Sequence, residues 1–170
     1  MKRFLLIFIA LYTCEQDNTS LLPNSSGNLN VISVVLNDEL WEGSVGAALK
    51  DSFSKSIYGL PQREPMFSLK HIPIHVFSGF VTKGRTIIKV QKAKISKTSV
   101  EYNKYATPQI VIQFSGPSAK EILTLIKRDA NSMMALINKR EIVEKQRRIK
   151  KSLSNSLEIK NNLNINIKYP

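Results

Sequence analysis

Cys14 is the only cysteine in the chain, and the residues before it indicate what chemistry it could undergo. Lys2 and Arg3 precede an uncharged apolar run over residues 4–12, which ends two residues before the cysteine. As a helix this run would extend about 14 Å, whereas a bilayer-spanning helix needs about 20 residues. The pattern is typical of a bacterial lipoprotein signal over residues 1–13, whose removal leaves a cysteine that is lipidated on its sulfur. The alternative is a buried amino-terminal strand with Cys14 in the core.

Lipidation of Cys14 would attach the mature chain to a membrane. Each buried CH₂ of an acyl chain contributes about 0.8 kcal/mol to membrane binding, and stable attachment takes more than one chain. A bacterial lipoprotein carries several chains. Residues 14–30 are rich in Asn, Ser, Gln and Asp and show no apolar period, so they are predicted to be a flexible linker. We therefore expect a cell-envelope protein, on the periplasmic face or in the outer membrane of a Gram-negative bacterium.

The formal net charge is +12, which favours an acidic partner. Anionic lipid, acidic glycan and nucleic acid all carry the required charge. No aromatic side chains interleave with the densest basic segment, as they do in single-strand binders, so nucleic acid is the weakest of the three. Anionic lipid or glycan near the anchor is the easiest ligand to reach, although these cations could simply be solvated. The cations of this segment are Lys145, Arg147, Arg148, Lys150 and Lys151.

Two histidines, His71 and His75, stand at i and i+4, a spacing that could bind zinc on a helix. Pro73 lies between them and disfavours a regular helix, and no third ligand is near in sequence. We therefore predict no metal site. The chain also has no phosphate loop, no dinucleotide fingerprint and no Ser/His/Asp set at a familiar spacing, so neither a cofactor nor a catalytic residue is predicted.

Trp41 and Glu42, with the loop residues Gly59, Pro61 and Glu64, form a second candidate functional surface. An enzyme acting on an envelope substrate could place a cleft here, because carboxylates can act as general acids and bases. The alternative is structural: Trp41 would anchor the core, and acidic residues would stabilise the first turn of a helix. A binding or assembly module, with an envelope protein as its partner, competes with this enzyme hypothesis.

The hydrophobic pattern predicts the elements that would position these residues. The β-branched run 31–36 indicates a buried strand, and residues 38–53 carry an apolar stripe at helical spacing. Residues 92–105 are polar and are expected to form an exposed excursion. Further strands are predicted at residues 66–72, 86–90, 109–114 and 163–169.

Ser118 and Glu121 form a capping-box pair that opens a long carboxy-terminal helix, predicted to reach the low 150s. The element order β-α-β-β-β-α-β predicts an α+β fold. We expect a mainly antiparallel sheet with the two main helices on one face, in the split βαβ arrangement of ferredoxin-like folds. One domain would cover residues 31–170.

Several segments carry a resemblance to a known family, and the blocks Asp-Glu-Leu-Trp-Glu-Gly and Gly-Leu-Pro-Gln-Arg-Glu-Pro are the most specific. Together the segments resemble the bacterial lipoprotein family called domain of unknown function 4837. The resemblance implies an envelope lipoprotein of a Gram-negative bacterium without an established activity. Members are typically longer, so it also implies that this domain is the first half of a larger architecture. The segments are residues 25–28, 38–43, 58–67, 77–80, 85–88 and 145–149.

Overall fold

The computed structural model describes residues 21–57, 59, 61–62 and 64–154. The described chain forms one five-stranded sheet with helices on one of its faces. Two 3₁₀ turns, Ile74–Val76 and Gly79–Lys83, lie between the second and third strands. The strands and helices are β1 Val31–Val35, α1 Asp38–Glu42, α2 Ser44–Phe53, β2 Ser68–Ile72, β3 Thr86–Lys92, β4 Lys97–Tyr102, β5 Ile110–Gly116 and α3 Ala119–Ser154.

The sheet has the strand order β2-β1-β3-β5-β4. β1 is parallel to both β2 and β3, and β3 is parallel to β5. Among the described strands, only β4 and β5 pair antiparallel. The α+β class and the placement of the main helices on one face are confirmed. The expected mainly antiparallel, ferredoxin-like sheet is wrong, because the chain between β2 and β3 returns to the starting end of the sheet through the 3₁₀ turns. Such a crossover makes the next strand parallel.

β4 lies inside the segment 92–105, which the polar pattern had predicted to be an exposed excursion. It pairs with β5 over six residues, from Lys97 opposite Ser115 to Tyr102 opposite Ile110. As the edge strand it has only half-buried and exposed side chains, and Val100 packs against the core. The prediction was wrong because an edge strand can be largely polar and still be held by the backbone hydrogen bonds to its neighbour.

The main core lies between the sheet and its helices. The central strands β1, β3 and β5 direct alternate side chains toward α2 and α3, as a pleated strand must. Burying these groups is the main favourable contribution to folding. On the opposite face a smaller cluster, Val35, Ile72, Ile87 and Val111, is covered in part by Phe77 and Tyr105. Core side chains at the centre of the main cluster include Ile32, Val34, Ile88, Ile112, Phe114, Leu49, Phe53, Ile122 and Ile126.

The single helix predicted over residues 38–53 is divided in two. α1 ends at Glu42, Gly43 follows with an extended backbone, and α2 starts at Ser44. Gly46 packs so closely on the end of α1 that a Cβ atom there would collide with the Trp41 carbonyl. The glycines therefore permit a tight junction between two short helices.

α3 is 36 residues long and begins with the predicted capping box. The Glu121 N–H donates to Ser118 Oγ at 3.3 Å, and the Ser118 hydroxyl donates to Glu121 Oε2 at 3.0 Å. α3 extends to Ser154, the last described residue, and so reaches the low 150s as predicted. The predicted strand over residues 163–169 lies outside the described residues. In the described part of the chain, no helix combines the length and apolar character needed to cross a membrane.

The described end of the predicted linker is attached to the domain. Asn24 forms a bridge with Thr107, and Ser26 forms one with Gly84. The Ser25 N–H donates to the Thr107 carbonyl at 2.9 Å. Residues 24–30, which we call the amino-terminal segment, thus lie at the end of the sheet where β3 and β5 begin.

Candidate functional site

A buried ion pair joins the amino-terminal segment, β3 and α3. Arg85 directly precedes β3, and its guanidinium donates to both carboxylate oxygens of Glu141 on α3, from Nε at 3.1 Å and from Nη2 at 3.2 Å. The same guanidinium donates to the carbonyls of Gly27 at 3.0 Å and Asn28 at 2.7 Å. Planar donors of this kind suit a carboxylate and neighbouring carbonyls at once.

The Glu141 carboxylate also accepts a hydrogen bond from the backbone of the amino-terminal segment. The backbone N–H of Asn30 donates to its Oε2 at 2.8 Å. The two side chains of the ion pair are only 8% and 2% exposed. A buried charge is tolerated when it is paired and fully hydrogen-bonded, and both conditions hold for Arg85 and Glu141. The sequence offered a single signal of this role, a glutamate at a core-facing position of α3.

Glu144 follows Glu141 on the same buried side of α3. It accepts hydrogen bonds from Arg147 at 2.7 and 2.8 Å and from Arg148 at 2.8 Å. The two Arg147 hydrogen bonds, and then the one from Arg148, lower the pKa of Glu144 from 4.5 to about 2 against the opposing effect of burial. The Glu144 carboxylate is therefore ionised at every physiological pH.

The basic segment predicted from sequence forms the last turns of α3, which we call the basic end, residues 145–151. The structure brings two of its cations together, because Arg147 and Arg148 share the Glu144 carboxylate. Arg148 also donates to the Gly27 carbonyl at 3.1 Å, so the basic end touches the amino-terminal segment. Lys145 is half-buried, whereas Lys150 and Lys151 are exposed.

A cleft of about 520 Å³ lies between α3 and the end of the sheet at which β3 and β5 begin. Its apolar surface comes from Tyr102, Pro108, Leu136 and Val143. Besides the paired Arg85, three cations also line it, Lys139, Arg140 and Arg147. The Arg140 guanidinium carbon lies 5.1 Å from the centre of the Tyr102 ring, a cation–π distance. Sequence reasoning missed this cleft. The available signal was the stripe of residues 136, 140, 143 and 147, which share one face of α3.

The second predicted surface is divided by the structure. Trp41 is half-buried, packs against the main core and stacks on His71, with ring centroids 4.8 Å apart and an interplanar angle of 7°. The Lys50 ammonium lies 4.3 Å from the Trp41 ring centre. Glu42 is exposed, as are the described loop residues, and among the described residues no hydrogen bond or ion pair links Trp41 or Glu42 to this loop. The loop residues in question are Gly59, Pro61 and Glu64.

The two histidines occupy different elements. His71 lies on β2, with Nε2 3.1 Å from the Leu36 carbonyl oxygen and 3.7 Å from Asp38 Oδ1. His75 lies in the first 3₁₀ turn. Among the residues that the structure describes, no group of three His, Cys, Asp or Glu side chains is arranged to hold a metal ion. Cys14 lies outside the described residues.

The fold and site define a small α+β domain in which a mostly parallel sheet is joined to a long helix through a buried Arg–Glu pair. The model of the family Domain of unknown function (DUF8532) matches residues 25–150, and the chain belongs to this family. This match does not confirm the resemblance to the lipoprotein family domain of unknown function 4837. The matched region includes the ion pair and the cleft. Neither the curated proteins nor the solved structures yielded a match.

Proposed function

We propose that the protein is a lipid-anchored binding module of the bacterial cell envelope, attached through Cys14. In this proposal the basic end of α3 holds the domain against an anionic membrane surface. The resemblance to the lipoprotein family domain of unknown function 4837 supports the anchor, as does the apolar run that precedes Cys14.

One contact carries the proposal, the 3.1 Å hydrogen bond from Arg148 to the Gly27 carbonyl. Because of this contact, the amino-terminal segment, which connects Cys14 to the domain, lies next to the basic end. The residues between Cys14 and Gly27 can span at most about 45 Å when fully extended. A lipid on Cys14 would therefore keep the basic end within reach of the same membrane.

In this position the positive charge of the basic end would be attracted to an anionic membrane surface. Each Lys or Arg near an anionic leaflet contributes about 1 kcal/mol of attraction, within a Debye length of the surface. Arg147 and Arg148 are 60% and 42% exposed, so their pairing with Glu144 leaves part of each guanidinium in solvent. These contacts would orient the domain relative to the membrane, leaving the rest of its surface for an envelope partner.

The anchor is tested by metabolic labelling with a fatty-acid probe. Wild-type protein should incorporate the label and Cys14→Ala should not, with Ser20→Ala as a matched control that retains the label. Equal labelling of wild type and Cys14→Ala would contradict lipidation at this residue.

The orienting role is tested separately, with the full chain carrying Cys14→Ala and vesicles of phosphatidylcholine with or without phosphatidylglycerol. Sedimentation with the anionic vesicles should fall when Lys145 and Lys150 are both changed to Gln. The control changes Lys92 and Lys94, two exposed lysines at the opposite end of β3, to Gln and should have little effect. Equal losses in both double variants would show that only net charge matters and would contradict a specific basic end.

A further inference from the structure

We infer that the cleft beside α3 binds a single-chain anionic amphiphile, a molecule with one acyl chain and a phosphate or carboxylate head. This goes beyond the proposed membrane contact and does not depend on it. The basic end would meet a lipid surface, whereas the cleft would take up one molecule.

The cleft has the size and the wall of a small-molecule site. Its volume, about 520 Å³, lies within the usual range for ligand pockets. Val143 is 61% exposed and Tyr102 is 53% exposed, although both are large apolar side chains. A bound acyl chain would cover them with Leu136 and Pro108, and removing such surface from water is the main favourable term in binding an apolar group.

The charges at the cleft complement an anion. The two carboxylates there are already committed, Glu141 to Arg85 and Glu144 to Arg147 and Arg148. Among the described residues, no carboxylate pairs with Lys139 or Arg140. The Arg140 guanidinium rests on the Tyr102 ring, an arrangement that leaves its N–H edges able to donate to an oxyanion.

Apolar surface and cations together select the class of ligand. A small inorganic anion would satisfy the cations and leave the apolar wall in water. A neutral amphiphile would cover the wall and leave the cations without a partner. An anionic amphiphile satisfies both, with its chain on Leu136 and Val143 and its head toward Lys139 and Arg140.

The test is isothermal titration calorimetry on the full chain carrying Cys14→Ala, without vesicles and with each amphiphile below its micelle-forming concentration. The probes are dodecyl phosphate, inorganic phosphate and dodecyl maltoside. Dodecyl phosphate should bind at a ratio of one to one and at least about tenfold more tightly than either other probe, a difference of about 1.4 kcal/mol. Equal affinity for inorganic phosphate, or equal affinity for dodecyl maltoside, would overturn the proposal.

Two pairs of variants place the binding in the cleft. Val143→Asp should weaken dodecyl phosphate binding about tenfold or more. Ile142→Asp, a change at the neighbouring exposed aliphatic residue outside the cleft, should not. Arg140→Gln should likewise weaken binding while Lys120→Gln, at the other end of α3, leaves it unchanged. Thermal unfolding of each variant confirms that it is folded, and equal affinities within both pairs would overturn the assignment. A failure here leaves the vesicle and labelling experiments unaffected, so the two proposals are separable.

Discussion

Arg85 and Glu141 form an ion pair that is almost wholly excluded from water, with Arg85 Nε 3.1 Å from Glu141 Oε1. The pair joins positions 56 residues apart in sequence. Because the same guanidinium holds the Gly27 and Asn28 carbonyls, one side chain fixes the position of α3 and of the amino-terminal segment. The cleft and the contact between the basic end and Gly27 both depend on that position.

Glu141→Gln should destabilise the domain strongly. The substitution leaves the Arg85 charge buried without its counter-charge, and removing one partner of a buried pair costs about 3–5 kcal/mol. Urea unfolding followed by circular dichroism measures the loss. The matched control is Glu101→Gln, because Glu101 pairs with Lys104 at 2.8 Å on the surface and an exposed pair is worth about 0–1 kcal/mol. Similar losses in the two variants would show that the buried pair has no special weight.

The Glu144 carboxylate should make stability depend on pH in the acid range. Its pKa falls from 4.5 to about 2 in the folded protein, chiefly through the Arg147 hydrogen bonds. A lowered folded-state pKa contributes stability that is complete above the unfolded value, near 4.5, and is lost as the pH falls toward 2. The contribution at neutral pH should be on the order of 1–2 kcal/mol, since both arginines are partly exposed.

The measurement compares wild type with Glu144→Gln from pH 7 to pH 3. The difference in free energy of unfolding should be largest above pH 5 and should shrink steadily below it. Glu121→Gln, at the exposed first turn of α3, provides a control that lacks paired arginines. A wild-type advantage that stays constant down to pH 3 would show that Glu144 titrates normally.

The fold could be predicted from the sequence wherever the pattern is local. The buried run of β1, the capping box of Ser118 and Glu121 and the apolar stripe of α3 are all encoded within a few residues of each other. Strand direction is not, because it depends on how the chain crosses between β2 and β3. β4 escaped prediction for a related reason, since its stability comes from backbone pairing with β5 rather than from an apolar face.

The site was harder to predict because its residues are distant in sequence. The basic end was visible as a run of cations, and Trp41 as a lone aromatic residue. Arg85, Glu141 and the cleft were not, because their roles arise only when β3 and α3 are placed side by side. A core-facing glutamate on a long helix is the one local sign that a buried partner exists elsewhere.

Gly46→Ala should destabilise the domain, although alanine is the better helix former. A Cβ atom at this position would strike the Trp41 backbone carbonyl, which cannot move without shifting α1. The steric cost should exceed the gain of about 1 kcal/mol in helix propensity. Ala47→Ser, at the exposed neighbouring position of α2, is the control and should change the free energy of unfolding by about 0.5 kcal/mol or less. A more stable Gly46→Ala variant would show that the junction between α1 and α2 can open.

Trp41→Ala separates a structural role of this residue from a role in binding. The indole packs against the main core, stacks on His71 and lies under the Lys50 ammonium, so its removal should cost about 2–4 kcal/mol of unfolding free energy. Phe80→Ala is the matched control, because the Phe80 side chain is 73% exposed and its loss should cost about 0.5 kcal/mol or less. Circular dichroism suits both variants, since the chain has no other tryptophan to report by fluorescence. If Trp41→Ala were as stable as wild type, the ring would contribute little to the core, and its half-exposed face would be the part of the domain to test for a ligand.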